Sequence, residues 1–317
     1  LGRPNLTVRT EAFVTRVVVE AGRAAAVEFV REGRRVRAEA TREVLLAGGA
    51  INSPQLLMLS GIGPADALRR VGIEVVADVD GVGSNLQDHL LVPLAFACRV
   101  PVSLANAESI GSLARYLLLR RGPLTSNVAE AGGFVRTRAA LAAPDIQFHF
   151  GAAYYLDHGA TRPAGHGLTV CPTAIRPASR GHLSLRSSDP AVAPVIEPRY
   201  FSEPGEVETL ADGVEIGLDV LGARAFERYV GAPYFEGLAT RDAITAHVRR
   251  TAETIYHPTG TCRMGTDAGA VVDPELRVRG VDGLRVVDAS VMPTIVAGNP
   301  NAAVIMIAER AADLIGR

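Results

Sequence analysis

The first 47 residues alternate apolar and polar side chains in short stretches, at 6–9, 14–20, 25–31, 35–40 and 43–47, interrupted at Gly22 and Gly33. A period of two between glycines predicts hairpins that feed one buried strand. Ser53 and Pro54 then precede an apolar run to Leu59. A hydroxyl ahead of the residue favoured at the first helical position predicts a short buried helix capped by Ser53. Gly61, Gly63 and Pro64 stop it, residues 65–71 predict a second short helix, and Gly81 and Gly83 mark turns.

From 90 to about 250 the pattern is mixed, with a helix expected over 113–121, strands near 146–150, 168–175 and 182–186, and helices over 207–221 and 243–254. The loop 156–167, rich in Gly, Pro, Ala and His, is expected to be mobile. The last 60 residues return to strand (284–288), loop (289–300) and amphipathic helix (301–315). The fold class this predicts is α/β plus α+β. Residues 1–88 and 255–317 would form one discontinuous domain, and 89–254 an antiparallel-sheet domain.

Composition narrows the function classes. The 317 residues carry 33 basic and 34 acidic side chains, a net charge of −1, and every basic residue is Arg. Mixed charge of that kind offers no basic face to a nucleic acid. Apolar runs such as 44–47 and 56–59 are far shorter than the roughly 20 residues that span a bilayer. Cys98, Cys171 and Cys262 are odd in number and widely spaced, which suggests neither a disulfide framework nor a structural zinc site, and a reducing, cytoplasmic location is the default. The chain opens at Leu1 with no signal-like segment and reads as part of something longer.

Three constellations could carry chemistry. The densest runs from Tyr256 to Gly265, where Pro258 ends the preceding helix and projects His257 from a bend. An imidazole there is suited to taking a proton, although a lone loop His is also commonly structural. A zinc reading with Cys262 needs two further ligands that the neighbourhood lacks. The second is Asp288-Ala289-Ser290 followed by Gly298-Asn299-Pro300-Asn301-Ala302 at the start of the last helix. That helix end favours developing negative charge on a ligand; the alternative is simple capping by Asn299 or Asn301. The third runs from Gly49 to Gly63, whose glycines either admit a cofactor to the backbone or only make turns. No GxGxxG is present, since Gly61-Ile62-Gly63 continues to Asp66 and Gly81-Val82-Gly83 to Leu86, and there is no GxSxG elbow. These residues alone support a two-domain α/β enzyme and no more.

Taken in order, the three constellations resemble the glucose–methanol–choline (GMC) family of FAD-dependent oxidoreductases, and most closely its choline dehydrogenase-like branch. The resemblance rests on Gly49-Ala50, Ser53-Pro54 and Ser60-Gly61-Ile62-Gly63, on Asn85-Leu86-Gln87-Asp88-His89, on the stretch from His257 to Gly265, on Arg285 to Ser290, and on Asn299-Pro300-Asn301. It implies an incomplete FAD-binding Rossmann-like domain with an antiparallel-sheet substrate domain. His257 would accept the substrate hydroxyl proton as hydride leaves for the flavin, and Asn299 would bond the substrate oxygen. Asp288, Ala289, Asn301 and Ala302 would lie along FAD, and the backbone of Val14 would contact adenine. A helix N-terminus aimed at the reduced flavin suits the charge it carries. No metal is implied.

The resemblance also implies a primary alcohol as substrate, oxidised to an aldehyde, with an external acceptor or oxygen taking the electrons. A complete member carries an N-terminal GxGxxG half that is not found in these residues. The chain would then be a C-terminal portion that can depend on a separately encoded N-terminal half to hold FAD. The rival readings are an inert or partner-dependent fragment and a non-redox lyase of the same family. Phe148, Phe150, Tyr154 and Tyr155 fall where the second domain would face the cofactor, but Phe148 and Phe150 alternating with Gln147 and His149 equally suit a half-buried strand. With aromatics at 5% and no Trp, a cage for choline is less favoured than a site for a general alcohol. His89 is expected to be mainly structural, with lining of the active-site entrance as the alternative, His149, His158, His166, His182 and His247 to be surface or loop residues, and Cys262 to be unreactive.

Overall fold

A computed structural model describes residues 2–316. Phe13–Glu20 (β1), Arg23–Arg31 (β2) and Arg34–Glu39 (β3) form an antiparallel sheet. Both reversals have two residues, Ala21-Gly22 and Glu32-Gly33, all with positive φ. That is the hairpin geometry whose twist matches the strands, and glycine occupies the second position each time. The strand expected at 6–9 does not form; Leu6 N–H instead closes a turn onto the carbonyl of Arg3 (3.1 Å), and among the described residues no strand pairs with this stretch.

Val44–Leu46 (β4) leads into Gly49–Leu59 (α1), which differs from the expected helix in where it starts. Pro54 lies inside it rather than at its first position. The N–H that Pro54 lacks leaves the carbonyl of Ala50 free, and the buried Thr261 hydroxyl donates to that carbonyl at 2.6 Å. Ser53 is not the cap; its Oγ accepts from Gly48 N–H (3.0 Å) and donates to Asp288 (2.6 Å). Ile62–Gly63 (β5), Ala65–Arg70 (α2) and Ala77–Asp78 (β6) follow, with β5 and β6 paired in parallel.

The middle of the chain contributes Leu90–Leu91 (β7), Leu94–Cys98 (β8), Ile110–Leu119 (α3), Ala131–Val135 (β9), Ile146–Gly151 (β10) and Gly167–Ala174 (β11). After His182–Ser184 (β12) and Val195–Glu197 (β13), which pair with each other, come Glu206–Leu221 (α4), Val230–Pro233 (β14), Arg241–Thr251 (α5) and Glu253–Thr254 (β15). The large sheet is antiparallel in the order β14-β8-β11-β10-β9, with β7 beside β11 and β15 beside β7. Leu284–Val286 (β16) returns to pair in parallel with β4, and Asn301–Ile315 (α6) closes the chain.

Two hydrophobic clusters hold these elements. One joins Val17, Leu57, Ile62 and Leu68 to Val271, Leu284, Val286 and Ile307, and it takes in Leu183 of β12. The other lies between the large sheet and α4 and α5, around Leu94, Ile146, Val170, Leu210 and Val248. Phe148 and Phe150 belong to this second cluster. Because side chains alternate across a strand, Gln147 and His149 face the opposite side, toward the loops that join the two clusters.

Candidate functional site

Asp88 is the hub of that side. It is buried, and four donors converge on its carboxylate: the N–H of His89 (2.9 Å) and of His257 (3.0 Å), the hydroxyl of Tyr200 (2.7 Å) and the hydroxyl of Thr254. The rest of the phrase 85–89 staples the neighbouring loops. Asn85 Nδ2 donates to the carbonyls of Gly260 (3.1 Å) and Pro293 (3.2 Å). Gln87 donates to the Pro293 carbonyl, accepts from Ile295 N–H (3.2 Å), and exchanges backbone hydrogen bonds with Thr259. The loop carrying His257 and the loop carrying Asn299 are thereby fixed to one short segment.

His257 follows Tyr256, whose φ of +62° makes the bend that Pro258 continues. Its Nδ1 lies 3.0 Å from Nδ1 of His89, with the rings edge to face. Its Nε2 lies 3.5 Å from Asn299 Nδ2, while Asn299 Oδ1 accepts from Gln147 Nε2 at 3.0 Å. Gln147 donates to the oxygen of Asn299, which turns the Asn299 amide group toward His257 Nε2. His257 Nδ1 and His89 Nδ1 share one hydrogen bond. Burial, and next the proximity of His257, push the His89 pKa down to about 4, which keeps His89 neutral. Burial also lowers the pKa of His257, opposed by the Asp88 charge. His149 is lowered by burial, and its Nδ1 is paired with Thr173 Oγ1 at 3.1 Å. The buried atoms His89 Nε2, Gln147 Oε1 and His149 Nε2 have no hydrogen-bond partner among the described residues. The arrangement can hold an unprotonated imidazole nitrogen beside an amide donor, with further polar atoms free for a ligand.

The expected cofactor residues fall in two places. Val14 on β1 lines a cleft of about 480 Å³ with Gly48, Asn52, Ser53 and Gln55 of the α1 start. Asp288 sits at that start through its side chain: Oδ2 accepts from Gly49 N–H (3.0 Å) and Ser53 Oγ, and Oδ1 from Ser290 N–H (2.8 Å). Three donors thus hold its carboxylate, and Ala289 follows in the turn it caps. Asn301 and Ala302 are exposed at the start of α6, which no side chain caps. Capping by Asn299 or Asn301 is thus not observed, because the Asn299 amide is turned to Gln147 and His257 instead. Among the described residues no group of His, Cys, Asp and Glu could hold a metal.

His89, expected to be mainly structural, and His149, expected on the surface or in a loop, join the site with Gln147 and with Tyr200, which was not singled out; His247, also expected on the surface or in a loop, is instead fully buried in α5. His89 was readable only through its neighbour Asp88, and Gln147 and His149 through the alternation that buries Phe148 and Phe150. Burial pushes the thiol of Cys262 far up, in line with an unreactive cysteine.

Two family models described as GMC oxidoreductase match residues 1–91 and 177–308. An alcohol dehydrogenase [acceptor] of Pseudomonas putida is 44% identical over 326 residues, covering 100% of this chain and 59% of that protein. The human mitochondrial choline dehydrogenase is 44% identical, covering 99% of this chain and 54% of that protein. A solved structure of Aspergillus oryzae formate oxidase, from work on its FAD modification, matches with a TM-score of 0.93 at 29% identity, over 99% of this chain and 61% of its own. The chain thus spans between half and two thirds of the length of these relatives.

Proposed function

The chain belongs to the GMC oxidoreductase family, and on that premise we propose that it supplies the catalytic side chains for FAD-dependent oxidation of a primary alcohol to an aldehyde. The observation that carries the proposal is the convergence of His257 Nε2 and Asn299 Nδ2 at 3.5 Å, with His257 Nδ1 paired to His89 at 3.0 Å. The residues present fit the cofactor. The start of α6 is open and uncapped, and the cleft beside Val14 runs along the α1 start that Asp288 fixes. Val14, the backbone of Asp288 and Ala289, and the first residues of α6, Asn301 and Ala302, would hold it. On this reading 1–88 and 255–317 form the cofactor side and 89–254 the substrate side.

FAD, when bound, supplies a two-electron acceptor for the carbon-bound hydrogen of the substrate. The residues of this chain do the rest. His257 Nε2 accepts the hydroxyl proton, and Asn299 Nδ2 donates to the alcohol oxygen as charge develops on it. His89 takes the hydrogen bond from His257 Nδ1 and, being held neutral, stabilises the charged imidazolium without competing for its proton. Gln147 Oε1 and His149 Nε2 remain to orient a polar group of the substrate. The sheet face around them is polar, because Phe148 and Phe150 are turned into the α4 core, which favours a general alcohol over a quaternary ammonium.

The protein purified with FAD tests this. A flavin band that survives desalting and bleaches anaerobically on adding a primary alcohol is expected. A retained flavin that no alcohol bleaches would overturn the redox assignment and favour a lyase, in which His257 moves protons only.

A further inference from the structure

Between the large sheet and the loop that enters α4 the chain encloses a cavity of about 270 Å³, close to the roughly 300 Å³ at which small-molecule pockets begin. Leu90 and Ala174, which pair across β7 and β11 and face α4, form its floor, and Leu141, Phe201 and Leu210 close its sides. Gln147 and His149 face the other side of the same sheet, toward Asn299 and the start of α6. The cofactor as placed above is thus across the sheet from this cavity, and so is the side on which a further FAD-holding segment is needed.

The charged groups of the wall are not equal. Three carboxylates line it, and donors of this chain hold each one. Asp145 accepts from Thr137 N–H (2.8 Å) and Thr137 Oγ1 (2.6 Å). Glu206 accepts from the N–H groups of Ala178 and Ser179, both at 2.8 Å, and from the Ser179 hydroxyl. Asp88 has its four donors. Two arginines also line the cavity. Arg176 is fixed through Nε to the carbonyl of Pro144 at 2.8 Å, which leaves its terminal amino groups without a partner among the described residues. Arg138 makes no side-chain hydrogen bond or ion pair among them. Apolar walls with only cationic donors left unfilled suit an apolar body with an anionic end.

We propose that this cavity binds a monocarboxylate with an apolar tail or ring, its carboxylate at Arg138 and Arg176 and its body against Leu90, Leu141, Phe201 and Leu210. The site has a route to the catalytic bend. Tyr200, which lines it, donates with Thr254 to Asp88 Oδ2, while the backbone N–H groups of His89 and His257 donate to Oδ1. Such carboxylates arise where an aldehyde is oxidised further, a source that rests on the proposed function; the site itself does not.

Isothermal titration calorimetry of the full chain with octanoate, 1-octanol and octylammonium tests this without flavin or turnover. The wild type should bind octanoate, and bind the alcohol and the ammonium at least roughly 10-fold more weakly. Arg138→Gln with Arg176→Gln should weaken octanoate roughly 10- to 100-fold, as expected for one charge-assisted hydrogen bond lost. Ala178→Phe, which fills the cavity from an exposed position, should abolish binding. All three positions are exposed, so a melting temperature near that of the wild type shows that each variant is folded. No octanoate binding, equal affinity for the three probes, or an affinity that neither variant changes would overturn the proposal. So would binding that disappears once an N-terminal FAD-holding half is supplied, which would give the cavity to the rest of the fold.

Discussion

Replacing Asp88 with Asn removes the charge on which four donors converge. If the remaining oxygen keeps the backbone N–H groups of His89 and His257, the new amide faces the hydroxyls of Tyr200 and Thr254, which must turn from donors into acceptors. Hydrogen bonds to a charged group contribute about 1.5–3 kcal/mol each and neutral ones about 1. Four weakened bonds, partly offset by no longer burying a carboxylate, give a net loss of about 2–3 kcal/mol. For a chain of this size that lowers the melting temperature by roughly 4–10 °C. The same change acts on catalysis. Burial lowers the pKa of His257 and the Asp88 charge raises it, so losing the charge lowers it further. His257 must be unprotonated to accept a proton, so kcat/KM rises with pH through that pKa, and the rising limb should move to lower pH in Asp88→Asn. The assays are a thermal melt and a pH profile of alcohol oxidation. An unchanged melting temperature together with a limb that stays put or moves up would refute the role given to Asp88.

Three further outcomes follow from the same contacts. His89 has a folded pKa of about 4 against an ordinary 6.5, so its contribution is present above pH 6.5 and is lost as pH falls toward 4; the loss is about 3 kcal/mol, and urea unfolding across that range should lose about that much more stability in the wild type than in His89→Leu, where the other buried histidines still titrate. Gln147→Leu frees the Asn299 amide to turn, which should lower kcat/KM by roughly 3–10-fold, the worth of one neutral hydrogen bond, with little change in melting temperature. Gly83 has a φ of +83°, and a Cβ there would lie 2.2 Å from the carbonyl oxygen of Leu183, so Gly83→Ala should destabilise the protein by about 2 kcal/mol or more, seen as a lower melting temperature or as insoluble expression.

Elements set by local rules were legible in the sequence. The hairpins at Gly22 and Gly33 and the helix Asn301–Ile315 lie where patterning puts them, because turn chemistry and helical spacing act over a few residues. What sequence hid depends on partners far along the chain. Ser53 reads as a cap, yet its hydroxyl is committed to Asp288, 235 residues away. Pro54 reads as a helix start and lies inside the helix, since Thr261 satisfies the carbonyl it orphans. The strand Ala131–Val135, with two glycines, carries no period-two signal and forms because Ile146–Gly151 offers it a ladder. At the site, His257 and Asn299 stand in loops and were readable through the family phrases. His89 is fully buried, and its contact with His257 spans 168 positions, so nothing local distinguishes it from a core histidine.

The most direct measurement is anaerobic stopped-flow reduction of the bound flavin by a primary alcohol, comparing the wild type with His257→Gln. Loss of a positioned base should slow reduction by roughly 100- to 10,000-fold while the flavin remains bound. Reduction in His257→Gln at nearly the wild-type rate, with flavin retained, would contradict the assignment of His257 as the proton acceptor.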